Sequence, residues 1–342
     1  MKISTTGDLG DCIYLLNILK HLPGGPHDLV VRHSLLTKAK TADKALRLFE
    51  NLKALVSLQN YVGAFKVCTL DERVDWCSED FRKLRHFTPG ETLMQAHLNH
   101  YCKMMKGQTT VPDSTPWLKV LPSISSKGRV VVNLTERYRN RTFPWQKVVE
   151  HYGELLMFVG LEHEWRNFCT AYGRVDFQPT ENMLQVAELI AGSELFIGNQ
   201  SCSFAIAEGL KHPRIQETDL TFPDCIFPTA EGYAKAQHVA NGSVVLPAVG
   251  CRPTATFEPE PFKAQPMECR VVPPGMWQYP GCTRGTHLIN VARELSKKEQ
   301  IPMAQAEQMV YEYQRVRLPD FFRDTSEDGK FSRVQKALNR IQ

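Results

Sequence analysis

Residues 196–210 read FIGNQSCSFAIAEGL. Phe196 and Ile197 close an apolar run, Gly198 ends it, and Asn199, Gln200 and Ser201 precede a stretch of small apolar residues. This is the pattern of a buried strand, a polar turn and a helix. Ala205, Ala207 and Gly209 leave the helix slim enough to lie close against a sheet. Exposed backbone N–H groups at such a turn, together with the positive end of the helix, make a phosphate site. The turn also reads as a plain connection capped by Ser201 or Ser203.

Outward from this segment the same alternation repeats. Residues 129–134, 155–159, 194–197 and 213–216 read as strands, and residues 162–171, 182–191 and 204–210 as helices. A β/α unit of at least four strands in this order favours a doubly wound parallel sheet. Residues 2–5, 29–32 and 65–70 are strand-like, and apolar helical spacing follows in residues 13–19, 46–56 and 93–105. Between the two units, residues 107–128 carry Pro112, Pro116 and Pro122 among several Ser and Thr, which marks a linker. Residues 251–285 are rich in Pro and Gly, and residues 286–299, 302–317 and 330–340 look helical. The expected organisation is a first Rossmann-like domain over 1–122, a second over 123–250, and a Pro/Gly-rich segment with a helical tail over 251–342.

Bulk composition fits this organisation. A chain of 342 residues suggests about two domains, and 42% hydrophobic residues supply two cores. The net charge of +4 is too small to announce a nucleic-acid binder. Residues 1–122 carry 16 Lys/Arg against 12 Asp/Glu, while residues 123–292 carry 15 against 17. The basic excess in the first part is either ordinary surface scatter or a surface for an anionic acceptor. Ten cysteines form no C-x-x-C pair, no signal peptide is apparent and no apolar run is long enough to span a bilayer. The expectation is a cytoplasmic chain with reduced thiols.

Three further segments carry candidate chemistry. The turn Gly7-Asp8-Leu9-Gly10-Asp11 sits between a strand and a helix, and it lacks the G-x-G-x-x-G fingerprint. Asp11 is either a helix cap or a carboxylate placed to accept a proton from an attacking hydroxyl. Arg137, Arg139 and Arg141 follow a strand, where guanidinium groups suit a diphosphate or form a solvated basic loop. Glu162 and Glu164 follow Gly160, where a carboxylate can hold ribose hydroxyls or simply start a helix. The chain has no D-x-D triplet, no P-loop and no G-x-S-x-G elbow.

Together these segments resemble the ADP-heptose:lipopolysaccharide heptosyltransferase family of inverting GT-B glycosyltransferases. The resemblance covers roughly residues 2–220. It rests on Thr6-Gly7-Asp8-Leu9-Gly10-Asp11, on Arg141-Thr142-Phe143-Pro144-Trp145 and on Gly198-Asn199-Gln200-Ser201-Cys202 with Ala207-Glu208-Gly209-Leu210 behind it. It implies two Rossmann-like domains facing a central cleft, and a metal-independent transfer of a sugar from a nucleotide sugar to an acceptor hydroxyl, with no cofactor. It implies that Asp11 is the base. Gly10, Arg141, Glu164, Gly198, Asn199, Gln200, Ser201 and Cys202 would hold the donor, with Asp8, Arg137 and Arg139 as further contacts. Two departures stand out: Gln200 replaces the family's Asp and Arg141 its Lys. The implied acceptor is a saccharide or lipopolysaccharide-like glycan. Two other readings are a phage-type transferase acting on hydroxymethylated DNA and a non-catalytic nucleotide-binding module on the same fold.

Overall fold

Strands covered on both faces need apolar residues at every position, not at alternate ones. The strands at Val130–Asn133, Leu156–Val159 and Leu195–Asn199 meet that demand, being mainly apolar and buried throughout, whereas the edge strands Val62–Cys68 and Asp176–Gln178 are partly exposed; together the strands assemble into two parallel sheets. The computed structural model describes residues 1–5, 8–32, 42–68, 72–84, 92–105, 111, 115–219, 225, 236–239, 244, 246–249, 295–297, 300–302, 305, 306 and 309. The Pro/Gly-rich segment and helical tail expected over 251–342 lie outside them, apart from nine positions between 295 and 309.

The first sheet contains β1 (Lys2–Thr5), β2 (His27–Arg32), β3 (Val62–Cys68) and β4 (Trp76–Cys77) in the order β3-β2-β1-β4. Every pairing is parallel, with Ile3 opposite both Leu29 and Trp76. Its helices are α1 (Leu9–His21), α2 (Ala42–Ser57) and α3 (Leu93–Met105), with a 3-10 turn at Ser78–Leu84. The third strand starts three residues earlier than expected. The two-residue β4 has no sequence signal of its own, and only its pairing with β1 makes it a strand.

The second sheet contains β5 (Val130–Asn133), β6 (Leu156–Val159), β7 (Asp176–Gln178), β8 (Leu195–Asn199), β9 (Arg214–Glu217) and β10 (Ala236–Val239). The order is β10-β9-β8-β5-β6-β7, all parallel. The chain starts at the centre, runs outward to β7, crosses back to β8 beside β5 and continues to the other edge. This is the doubly wound dinucleotide-fold order. The intervening helices are α4 (Trp145–Tyr152), α5 (Glu162–Tyr172), α6 (Met183–Gly192) and α7 (Cys202–Gly209). Successive residues of β5 and β8 feed opposite faces. Val131 and Phe196 join one core, while Val130, Val132 and Ile197 join the other with Trp145, Phe158 and Phe168.

The first of these cores runs through both units. Helix α1 packs on α7 and α2 on α6, so Leu15, Leu16 and Leu52 share one cluster with Phe196, Phe204 and Ile190. The linker is pinned along this seam. The amides of Trp117 and Leu118 donate to the carbonyl of Gly209 at 2.9 and 3.0 Å, and the Trp117 indole N–H donates to the Ile13 carbonyl at 2.9 Å. Ser123 N–H donates to the Glu188 carbonyl at 2.8 Å. The approach is tight at Gly192, where a Cβ would lie 2.1 Å from the Ser123 carbonyl oxygen.

One sequence expectation is corrected. Six described cysteines, Cys12, Cys68, Cys77, Cys169, Cys202 and Cys225, are free thiols, but Cys102 is disulfide-bonded. Cysteine spacing says nothing about which thiols the fold brings within bonding distance.

Candidate functional site

In an open parallel sheet, neighbouring strands whose connections leave in opposite directions open a crevice at their C-terminal ends. In the second sheet that switch point lies between β5 and β8. Asn133 ends β5, fully paired in register with Gly198. Its side chain ties three elements together. The amide donates to the Val159 carbonyl of β6 at 2.8 Å, and the Oδ1 accepts from the Ser201 hydroxyl at 2.9 Å. Gly198 is required there. A Cβ would stand 2.9 Å from the Asn133 carbonyl oxygen and 2.8 Å from the Phe196 ring.

The polar residues that follow are mostly engaged with the protein itself. Asn199 is fully buried. Its Oδ1 accepts from the Thr135 amide at 3.2 Å, and its Nδ2 donates to the carbonyls of Thr135 and Arg137 at 3.1 and 2.5 Å. Gln200 Oε1 accepts from the Asp219 amide at 2.7 Å. Both side chains thus clamp the loops around the tip. Ser201 is the N-cap of α7, its hydroxyl accepting from the Phe204 amide. Cys202 begins the helix. Burial, with the charges of Asp11 and Asp8 acting in the same sense, pushes its thiol up to about 12, so it stays protonated.

Helix α1 starts against this point. An added Cβ on Gly10 would lie 3.8 Å from the Cys202 Cα, so the first turns of α1 and α7 touch. Asp8 is the N-cap of α1 and Asp11 its third residue, joined in a capping box in which Asp11 Oδ2 accepts from the Asp8 amide at 3.0 Å. Arg137, on the loop after β5, crosses from the second unit to the first. Its Nη1 lies 3.3 Å from Asp8 Oδ2, with both side chains about half exposed. Its guanidinium stacks over the Tyr138 ring, 4.7 Å from the centroid, and bonds the Tyr138 hydroxyl. Tyr138 has φ 54°, a left-handed conformation that costs a non-glycine residue about 1–3 kcal/mol.

The other expected cations are placed differently. Arg139 Nε donates to Glu217 at 3.0 Å, and its Nη2 donates to the Tyr172 hydroxyl at 3.0 Å. The buried Glu217 also accepts from the Trp145 indole at 2.6 Å and the Asn140 amide at 2.5 Å. Arg139 is therefore a brace for the β9 tip. Arg141 is exposed before α4 and forms no ion pair with a described residue. Glu164 is the third residue of α5, where its Oε2 accepts from the Leu161 amide at 3.1 Å. Burial raises its pKa, partly opposed by that amide.

Glu164 lines a recess of about 100 Å³ with Leu134, Thr135, Arg139, Asn167 and Tyr172. That is smaller than the roughly 300–1,000 Å³ of a usual small-molecule pocket.

Two residues at the tip, Asn133 and Tyr138, were not picked out from the sequence. A polar residue closing the apolar run VVVN was a usable signal for Asn133. Nothing in the sequence signals the left-handed Tyr138.

Among the described residues no group of three His, Cys, Asp or Glu is placed to hold a metal ion. No described helix is long and apolar enough to cross a membrane. No protein-family model matches the sequence, and no curated protein does. Among solved structures the chain is similar to the E. coli heptosyltransferase WaaC with ADP, at TM-score 0.49 and 12% identity over 70% of this chain and 94% of that one. It is similar to E. coli ADP-heptose lps heptosyltransferase II at TM-score 0.43 and 10% identity, over 70% and 89% of the two chains. A glycosyl transferase of family 9 from Veillonella parvula DSM 2008 aligns at TM-score 0.42 and 10% identity over 63% and 79%. Identities this low leave the chemistry of the site to be argued from its own residues.

Proposed function

We propose that this chain is a glycosyltransferase of the GT-B type that moves a sugar from a nucleoside-diphosphate sugar to an acceptor hydroxyl. One observation carries the reading: the carboxylate-bearing start of α1 abuts the neutrally capped start of α7 at the tips of two parallel sheets, with Gly10 against Cys202. In this reading a base and an anion-binding helix end lie side by side at that contact. The acceptor is a glycan and the transfer inverts the anomeric carbon.

In this reading the acceptor oxygen attacks the anomeric carbon in line. The new C–O bond forms as the bond to the diphosphate oxygen breaks. The hydroxyl proton passes to Asp11, and the nucleoside diphosphate leaves with the bonding pair. Its charge is taken up by backbone N–H groups at the start of α7 and by nearby arginine side chains. Donors fixed in advance at developing charge are usually the largest catalytic contribution, and here they stand in for a cation. Glu164 accepts hydrogen bonds from the ribose.

A thermal-shift panel of nucleotide sugars tests the reading, because a ligand that binds only the folded chain raises its melting temperature. One nucleotide sugar is expected to raise it, and silence across the panel would sink the proposal. With that donor in hand, Asp11→Asn should keep the shift while turnover falls roughly 10²- to 10⁴-fold. A wild-type rate in this variant would remove Asp11 as the base.

A further inference from the structure

Of the three arginines behind β5, one holds a partner that a ligand can replace. Arg139 is fastened to the buried Glu217 and to Tyr172. Arg141 lies further along the chain, beyond the stretch anchored by Asn199. Arg137 stands on that anchored stretch. Its carbonyl is held by the buried Asn199 at 2.5 Å, and its guanidinium rests on Tyr138, whose backbone takes a left-handed conformation at φ 54°. Such strain at a loop tip points to a function for the side chains it presents. The backbone beneath the guanidinium is thus built, while the guanidinium's ionic partner is an exposed carboxylate 3.3 Å away on the other unit.

A guanidinium presents the same fork of donors to a carboxylate and to a phosphate. Exposed pairs of this kind are weak, so a more highly charged group exchanges with the carboxylate readily. We propose that Arg137 is the residue that grips the donor's diphosphate, and that Asp8 occupies the phosphate's position in the free protein. Tyr138 positions the guanidinium from below. Binding of a diphosphate then releases Asp8 beside Asp11. This assignment rests on the transferase reading and names the cation within it.

Isothermal titration with ADP, GDP and UDP as probes, on the full chain at low salt, tests it. Arg137→Gln should weaken the binding of whichever diphosphate the wild type takes by about tenfold or more. Arg137→Lys, which keeps the charge but not the fork, should fall between. Asp8→Asn removes an internal competitor and should tighten the same binding by about two- to fivefold, an effect that fades at high salt. Melting curves confirm that each variant folds. Should Arg137→Gln melt early, the Lys variant decides, with wild-type affinity there counting against the assignment. Wild-type binding with unchanged affinity in Arg137→Gln and Asp8→Asn would overturn this assignment and leave the transferase reading standing. A wild-type chain that binds none of the three probes would overturn both.

Discussion

Helices α1 and α7 begin side by side, yet their first turns are built from opposite chemistry. The start of α1 is closed by two carboxylates, Asp8 and Asp11, in a capping box. The start of α7 is closed by the neutral hydroxyl of Ser201, itself bonded to Asn133. A helix end that already carries its own anions repels another, whereas one with a neutral cap keeps its positive end for a ligand. In the proposed reading the first of these ends serves proton transfer and the second the phosphate. Arg137, reaching from the α7 side to Asp8, joins them.

Three measurements break or sharpen this contrast. The largest effect is expected at the glycines. Gly198→Ala drives a Cβ to within 2.8–2.9 Å of the Phe196 ring and the Asn133 carbonyl, and should cost about 1–3 kcal/mol in a urea melt. Gly10→Ala meets only ordinary contact at 3.8–4.0 Å and should leave the midpoint nearly unchanged. Equal costs at the two positions would mean that the β8 tip is no tighter than the α1–α7 contact.

The next effect is at the cap. Ser201→Ala removes the acceptor for the Phe204 amide and the donor to Asn133, and should cost about 1 kcal/mol. No loss would mean that α7 starts independently of its hydroxyl.

The smallest is a pH dependence at Glu164, which lines the recess behind β5. Burial raises its folded-state pKa, so the fold favours the neutral carboxyl. That contribution is complete below the ordinary carboxylate value and is lost as pH rises through the raised one. Glu164→Gln mimics the neutral form, so melting temperatures of wild type and variant should diverge as pH rises from about 4 to about 7, with wild type falling relative to the variant. Parallel curves would show that the recess does not desolvate the carboxyl.

How far the site was legible in sequence varies by residue. The segment at 196–210 shows its strand, turn and cap directly, because each is a local preference: an apolar run, a glycine and a serine before a helix. Asp8 and Asp11 were legible as a strand-to-helix turn for the same reason. The roles of the arginines were not. Their spacing is uniform, and only the buried Glu217, 78 residues beyond Arg139 in the chain, withdraws that one from the crevice. For Asn199 and Gln200 the family resemblance implies donor contacts. The fold turns both inward, where loop carbonyls and amides lacking helix or strand partners need them.

The sequence by itself determined the alternation of strand and helix, the two units and the positions of the polar turns, since these follow from hydrophobic period and local capping within a few residues. Tertiary structure decided everything that depends on distant residues meeting: the two-residue β4, the disulfide at Cys102, the seam of α1 on α7, and the separate ionic partners of Arg137 and Arg139. Local rules act through neighbouring dihedrals and side chains, whereas burial and ion pairing depend on which segments of a folded chain come to share the same space.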